Sequence, residues 1–340
     1  MSRQSERVRA ILRLRRMRNT MIFGYGLIVV IAVVGITIFV SWQNDRILRS
    51  KISDMTSTLN VQMQKNLDSY LNRMEKVGTL AFASDDAYTY DATDETNDEY
   101  EAINTEKAIA DELMSLCMLE NFVDYGIVYR NNHTVGKVSN GTTELFGNAL
   151  YSGLEAMITN EKTHDGWHTG YGEDYERIYY VKRVHDNAVL VLSFYTAELR
   201  HVFENPESME NMTVRLTDEN YKVVYSSDKS ETLGDALPAE ISRYTMSSIT
   251  GSLMDFNNLV SINGCDVGWY VICSMPTNVV MRERNEMQVY VYIAAAIATL
   301  LAVLAGALFS SRIADPTAMI AINMRASDLD SEENEDDYDV

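Results

Sequence analysis

The residue types that most often carry enzyme chemistry occur in this chain, but their spacing fits no catalytic motif. His164 and His168 stand four residues apart, as in a helical metal pair, yet Gly166 lies between them and no helix is predicted there. The acidic run around Asp91 and Asp94 lacks the Asp-x-Asp-x-Asp-Gly order of a calcium loop. The sequence has no GxxxxGK[ST] phosphate loop, no GxSxG elbow and no protein-kinase set. We therefore expect no enzyme activity, no metal and no cofactor.

The cysteine content excludes a scaffold held together by many disulfides. Cys117, Cys265 and Cys273 are three in number, so they cannot all pair. Cys265 and Cys273 form a disulfide if neighbouring strands bring them together, or they remain buried thiols. The apolar, strand-like sequence around both favours thiols.

Two long apolar runs predict membrane-spanning helices at residues 21–41 and 289–309. The runs MIFGYGLIVVIAVVGITIFV and VYVYIAAAIATLLAVLAGALF carry no charged residue. A helix needs about 20 apolar residues to cross the hydrocarbon core of a bilayer. A buried core helix of that length normally shows a polar stripe, and neither run has one. The lipid bilayer is therefore an expected partner of the chain.

The charges that flank the runs predict the orientation in the membrane. The leader, residues 1–20, contains seven arginines and one acidic residue, Glu6. Basic residues remain on the cytoplasmic side, so we expect a multi-pass protein of the plasma membrane with both termini in the cytoplasm. Residues 42–288 are then outside the cell and residues 310–340 inside. The net charge of −20 argues against nucleic acid as a partner.

A long amphipathic helix is predicted directly after the first span, over residues 44–82. Its apolar residues recur every three or four positions, at Leu48, Ile52, Met55, Leu59, Met63, Leu67, Leu71, Met74 and Val77. A helix of this length needs a partner along its apolar side. That partner is the domain that follows, a second copy of the chain, or both; the second copy would make a homodimer.

The rest of the outer region predicts an α+β fold built from two small antiparallel-sheet units, at residues 105–205 and 211–276. Before the first unit, Ser84–Asn104 is predicted to be an exposed loop. Within the unit, period-two patterns predict strands, and Asn140-Gly141 predicts a hairpin turn. Arg177–Val184 and Ala188–Tyr195 form a hairpin around Asp186-Asn187. The second unit repeats the pattern with shorter strands, and a helix from Thr277 leads into the second span.

This order of parts resembles the double-Cache sensor domain of bacterial transmembrane receptors, in which two PAS-like units follow a stalk helix. The resemblance rests on the segment MTVRLTDEN at Met212–Asn220, on VVYSS with Leu233-Gly234, and on Gly268-Trp269 with Pro276. It covers about residues 44–288. It implies that the outer region binds a small extracellular molecule and passes a signal across the membrane.

In such a domain the unit farther from the membrane is the usual ligand-binding one, so the resemblance places the ligand site in residues 105–205. Pockets of this kind are mostly apolar, with a few polar groups that orient the ligand. The candidates lie on the first predicted strand (Tyr129 and Arg130), in a predicted loop over the sheet (Trp167 and Tyr171) and on the later strands (Tyr180, Lys182, Ser193 and Tyr195). Period two places Tyr180 with Lys182 on one face, and Ser193 with Tyr195 on one face.

The segment after the second span resembles the first helix and connector of a HAMP linker. It contains Asp315-Pro316 and, after a short apolar stripe, Asp328-Leu329, and then ends in SEENEDDYDV. The alternative is a simple acidic tail. We expect the chain to stop inside a HAMP-like segment. The output domain, lost or supplied elsewhere, would then be most similar to that of a two-component histidine kinase. Chemoreceptor and diguanylate cyclase outputs, or an anchored binding protein without output, remain alternatives.

Overall fold

The computed structural model describes residues 3–80, 85–118, 120–159, 166–203, 211–245, 251–254, 258–278, 285, 288–306 and 308. The chain divides into two compact units: residues 1–50 with 281–340, and residues 51–280. The exit helix predicted from Thr277 and the HAMP-like segment fall mostly or wholly outside the described residues.

Two helices are long and apolar enough to cross a membrane, judged by length and composition. The first lies within α1 (Arg3–Leu80) and the second is α7 (Gln288–Gly306). Large apolar side chains on both are exposed, for example Phe23 at 81% and Leu300 at 62%. Surfaces of this kind are stable in lipid rather than in water.

The compact unit of residues 51–280 contains two five-stranded antiparallel sheets and short helices. Before and within the first sheet the elements are α2 (Asp85–Thr89), α3 (Glu99–Cys117), β1 (Asp124–Tyr129), β2 (Thr134–Lys137), α4 (Asn140–Phe146), α5 (Leu150–Thr159), β3 (Trp167–Tyr171), β4 (Asp174–His185) and β5 (Ala188–Tyr195). A 3-10 helix, Thr196–His201, follows. The second sheet contains β6 (Thr213–Thr217), β7 (Val223–Ser226), α6 (Ala239–Thr245), β8 (Gly251–Met254), β9 (Asn258–Gly264) and β10 (Tyr270–Pro276).

The two sheets have the same strand order. The first runs β2-β1-β5-β4-β3 and the second β7-β6-β10-β9-β8, which is the same arrangement repeated with the next five strands. The α+β prediction with two antiparallel sheets is therefore confirmed. The predicted hairpin around Asp186-Asn187 is also confirmed, because His185 pairs with Ala188.

Three local predictions are wrong. Asn140-Gly141 is not a hairpin turn but the start of α4, where Ser139 is the N-cap. The segment from Ser84 to Asn104 is not one loop, because α2 lies within it and α3 begins at Glu99. The Asp98 side chain accepts a hydrogen bond from the Glu101 amide and so caps α3. Trp167–Tyr171 is not a loop over the sheet but its edge strand, paired with β4.

The apolar side of α1 is covered by residues of its own chain. Met63, Leu67, Leu71 and Met74 are almost fully buried in a core that includes residues from both sheets. Asn60 Nδ2 donates to Ser261 Oγ (3.0 Å) and to the Val271 carbonyl (3.2 Å) in the second sheet. Of the two partners weighed for the helix, the following domain is thus the one the structure shows.

Each sheet has a smaller hydrophobic core on the face that does not pack against α1. On the first sheet, α4 and α5 cover Val128, Tyr179, Val181, Val189 and Val191. On the second, α6 covers a core that includes Val223, Val260, Ile262 and Ile272. The three cysteines are buried free thiols, so the expectation of thiols is confirmed. Burial raises the pKa of Cys117 to about 12.

Candidate functional site

The eight predicted ligand-binding residues lie on two opposite faces of the first sheet. Tyr129, Trp167 and Tyr180 belong to the core that also contains α1 and α3, and each is at most 3% exposed. Trp167 packs against the Tyr180 ring with centroids 4.9 Å apart. The side chain of Lys182 is on the same face, with Nζ 3.5 Å from Thr79 Oγ1 of α1. Tyr180 and Lys182 contact α1 directly, whereas the ring of Tyr129 packs against Tyr90, His133 and His185.

The other predicted residues lie on or beside the face that α4 and α5 cover. Ser193 is fully buried there, and Tyr195, two residues farther along β5, is 42% exposed. Tyr171 lies at the end of the edge strand β3. Arg130 follows β1, and its backbone amide donates to the Asn187 carbonyl while its side chain is exposed. The structure thus brings Tyr171, Ser193 and Tyr195 to one face.

A buried carboxylate organises this face. Asp124, the first residue of β1, is fully buried beneath the start of α4. Its Oδ1 accepts from the Ser139 amide (2.6 Å), and its Oδ2 accepts from Thr142 Oγ1 (2.7 Å) and from Ser193 Oγ. A carboxylate that is removed from water requires such donors. Asp124 therefore fixes α4 to the centre of the sheet.

Arg177 of β4 lies beside this carboxylate. Its Nη1 donates to Ser139 Oγ (2.9 Å) and to Thr142 Oγ1 (2.8 Å), and its side chain also hydrogen-bonds with Tyr179. The nearest Asp124 oxygen is 3.8 Å away, and the side chain is 13% exposed. The guanidinium carbon lies 5.4 Å from the centroid of the Tyr195 ring. A guanidinium has five N–H donors, so three hydroxyl partners leave donors for an oxyanion.

Glycine at position 141 is required by this arrangement. A Cβ at that position would overlap Nη2 of Arg177, and the Cζ atom would be 3.0 Å away. The backbone of α4 can approach the guanidinium closely only because residue 141 has no side chain. The Asn140-Gly141 pair therefore serves helix–sheet contact rather than a turn.

An aromatic pair lies beside the polar cluster. The rings of Phe146 in α4 and Tyr171 in β3 are stacked with centroids 4.2 Å apart. Gly153 of α5 lies against both, since a Cβ there would be 2.9 Å from the Tyr171 hydroxyl. Together with Arg177 and Tyr195, this pair gives the face one cationic and several aromatic groups. These are the group types that bind and orient a small polar ligand.

His168 of β3 is a half-buried titratable group at this edge. Burial lowers its pKa to about 4, although a hydrogen bond with the Met157 backbone opposes that shift. The side chain is therefore neutral at pH 7. Its Nε2 atom is buried without a hydrogen-bond partner among the described residues. His164, its neighbour in the four-residue spacing, lies outside the described residues.

Sequence reasoning missed Asp124, Thr142, Arg177 and Tyr179. One available signal was an acidic residue, Asp124, directly before an otherwise apolar strand, where an exposed terminus is the easier assumption. A second was the alternation in β4: Arg177 and Tyr179 share a face that Tyr180 and Lys182 do not. Nothing in the alternation says which face the helices cover.

The chain is similar to solved sensor domains. No family model matches the sequence, and no curated protein matches it. A domain of a sensory box/GGDEF family protein from Vibrio parahaemolyticus is 11% identical, with a TM-score of 0.49, and covers 68% of this chain and 98% of its own. The V. cholerae histidine kinase DctB sensor domain is 12% identical, with a TM-score of 0.45 and coverages of 69% and 98%. The Pseudomonas fluorescens chemoreceptor CtaA ligand-binding domain, in complex with L-serine, is 14% identical, with a TM-score of 0.46 and coverages of 68% and 99%.

Proposed function

We propose that this chain is the sensor region of a membrane receptor that binds a small carboxylate-bearing molecule outside the cell. The ligand site is the face of the first sheet under α4 and α5, in the unit farther from the membrane. Its contacts are Arg177, Tyr195 and Tyr171. In this proposal residues 21–41 and 289–309 cross the membrane, and residues 44–82 form the stalk between the first span and the sheets.

The observation that carries the ligand class is the incomplete pairing of Arg177. Its hydrogen bonds among the described residues go to hydroxyl groups, and its ion pair with Asp124 is long, with 3.8 Å between Nη1 and the nearest carboxylate oxygen. Arg215 of the second sheet, by contrast, is held at both edges by Glu231, at 2.6–3.0 Å. An arginine with free donors beside aromatic rings favours a planar oxyanion such as a carboxylate.

The direct test is thermal unfolding of the full chain in detergent micelles with a panel of small molecules. The panel contains acetate, succinate, L-serine and GABA, with putrescine as a cation that lacks a carboxylate. We expect at least one carboxylate to raise the unfolding temperature of the wild type and not of Arg177→Gln. Arg183→Gln is the matched control, because Arg183 is on the same strand but pairs with Glu155 at the surface.

The ligand proposal fails if no carboxylate in the panel shifts the wild type, or if the shift persists in Arg177→Gln. It also fails if putrescine stabilises the chain as strongly as the carboxylates do. A shift that is lost in Arg183→Gln as well would indicate a general effect of charge on β4, which contradicts a site at Arg177.

The proposed topology has a separate test in whole cells. A membrane-impermeant maleimide should label Asn132→Cys, in the exposed turn between β1 and β2, in intact cells. Arg9→Cys in the leader should react only after the membrane is permeabilised. The reverse pattern, or equal labelling of both, would contradict the orientation.

The homodimer also remains a proposal, and the structure limits where its contacts can lie. Met63, Leu67, Leu71 and Met74 are covered within the chain, so they cannot pair with a second copy. Ile47 and Met55 of α1 are 45% and 48% exposed. Sedimentation of the full chain in detergent should give a dimer that Ile47→Glu weakens; a monomer at all concentrations would contradict the proposal.

A further inference from the structure

The ring of Tyr175, at the start of β4, lies between the two sheets of the outer unit. Its hydroxyl donates to Oδ2 of Asp218 in the β6–β7 turn (3.3 Å), and Lys222 Nζ lies 5.5 Å from the ring centroid. Gly170 of the first sheet and Gly234 of the second lie against the ring. A Cβ on Gly234 would be 2.7 Å from Cδ2, and one on Gly170 would be 2.7 Å from the hydroxyl.

Asp218, which accepts the hydrogen bond from Tyr175, also stabilises the β6–β7 turn. Asp218 is 6% exposed, and its Oδ1 accepts from the amides of Asn220 and Lys222, each at 2.8 Å. The Gly234 amide donates to the Val223 carbonyl at 2.7 Å, which fixes the neighbouring loop to β7. Burial beside Asp218 raises the pKa of Tyr175 to about 12, so the phenol stays a donor at neutral pH. Movement of Tyr175 therefore acts on an ordered part of the second sheet.

Only a few residues separate Tyr175 from the layer that covers the candidate ligand site. Residues 170–175, here the connecting turn, join β3 to β4. Tyr171 at one end stacks on Phe146 of α4, and a Cβ on Gly172 would lie 3.0 Å from Leu145 of α4. The Glu173 amide donates to the Gly170 carbonyl, and Tyr171 pairs with Asp174.

The backbone of the connecting turn is narrowly defined. Gly170, Gly172 and Glu173 have positive φ values of 70°, 60° and 67°. Glycine adopts positive φ without strain, and the turn is held in place by the Glu173–Gly170 hydrogen bond and by the close contacts of Gly170 with Tyr175 and of Gly172 with Leu145.

We infer that the connecting turn couples the position of α4 to the β6–β7 turn of the second sheet through Tyr175. In this arrangement, a change in α4 alters the contact of Tyr171 with Phe146, moves the connecting turn, and changes the contact of Tyr175 with Asp218 and Gly234. The inference uses the proposed function only in taking α4 as the cover of the ligand site. The coupling itself is a property of the chain without ligand.

The test is hydrogen exchange of the full chain in detergent micelles, without any added ligand. Phe146→Ala removes the stacking partner of Tyr171 but touches no residue of the second sheet among its described ring contacts. We expect exchange at the Lys222 and Gly234 amides to become about three- to tenfold faster. In a Tyr175→Ala background, the same Phe146→Ala change should leave these two amides unaltered.

Two further variants keep the test decisive. Leu154→Ala is the matched control, because Leu154 is fully buried in α5 and belongs to the same helix–sheet core. This substitution should destabilise α5 without faster exchange at the Lys222 and Gly234 amides. Tyr171→Ala replaces Phe146→Ala if the latter fails to fold. The inference is overturned if Phe146→Ala and Tyr171→Ala leave both amides unchanged, or if their effect persists in the Tyr175→Ala background. Because no ligand is used, failure here is separate from failure of the carboxylate proposal.

Discussion

The two sheets of residues 51–280 share a strand order but compensate their buried charges in different ways. In the second sheet, Arg215 on the first strand forms a two-edged ion pair with Glu231 and donates to Ser274 Oγ at 2.5 Å. In the first sheet, the carboxylate of Asp124 is held by hydroxyl and amide donors, and Arg177 lies beside it at 3.8 Å.

The same pairing position shows the difference most directly. Asp124 at the start of β1 pairs with Ser193, and Thr213 at the start of β6 pairs with Ser274. The same position is thus occupied by a charged residue in the first sheet and by a neutral residue in the second. The two arginines therefore differ in their charge partners: a carboxylate binds Arg215 directly at 2.6 Å, whereas the nearest carboxylate oxygen is 3.8 Å from Arg177, the residue of the proposed ligand site.

The largest expected effect is on the second sheet. Arg215→Ala should lower the free energy of unfolding by about 4 kcal/mol, because it leaves the mostly buried Glu231 without its cationic partner and with only the Ser226 hydroxyl as a described donor. Denaturant unfolding of the chain in detergent micelles measures this loss. The double variant Arg215→Met with Glu231→Leu should recover most of it. If Arg215→Ala costs no more than Arg177→Gln, the contrast between the sheets is wrong.

A smaller loss is expected at the anchor of α4. Asp124→Ala leaves the Ser139 amide and the Thr142 and Ser193 hydroxyls without their acceptor, at a cost of about 2–3 kcal/mol. Thr213→Ala, at the corresponding position of the second sheet, should cost under about 1 kcal/mol. The same unfolding measurement compares the two variants, and equal losses would remove the distinction.

Acid should weaken the first sheet through His168. Its folded pKa of about 4 lies below the ordinary value of 6.5, so the unfolded chain binds the proton more readily. Stability is therefore present above pH 6.5 and is lost as the pH falls towards 4, by about 2 kcal/mol at pH 5. His168→Gln should flatten this part of the unfolding profile, while the same change at the exposed His201 should not. An unchanged profile in His168→Gln would contradict the burial effect.

The smallest effect on stability is expected at Arg177. Arg177→Gln should cost about 1 kcal/mol, because Ser139 and Thr142 retain other partners and Asp124 keeps its donors. Its main consequence should be the loss of stabilisation by carboxylates described above. A loss of stability as large as that of Arg215→Ala would show that Arg177 is structural rather than available to a ligand.

Much of the fold could be predicted from local patterns, and the failures have a common cause. The apolar spacing of α1 and the long apolar runs in β4 and β5 are strong signals because each extends over many residues. Trp167–Tyr171 is only five residues long and contains Gly170, so its own sequence gives a weak strand signal although it forms a hairpin with β4. Asn140-Gly141 satisfies a turn and a helix start equally well, and the helix start is held by the Ser139 cap and its hydrogen bond to Asp124, which lies far away in the sequence.

The sequence by itself determined the two long apolar helices, the α+β class and the residues that share each face of a strand. These features follow from composition and from the periods of strand and helix, which are local properties. The tertiary structure decided which face of the first sheet meets α1 and which meets α4 and α5. That choice depends on contacts between distant segments, so Tyr180 became part of the core while Arg177 became the candidate ligand contact.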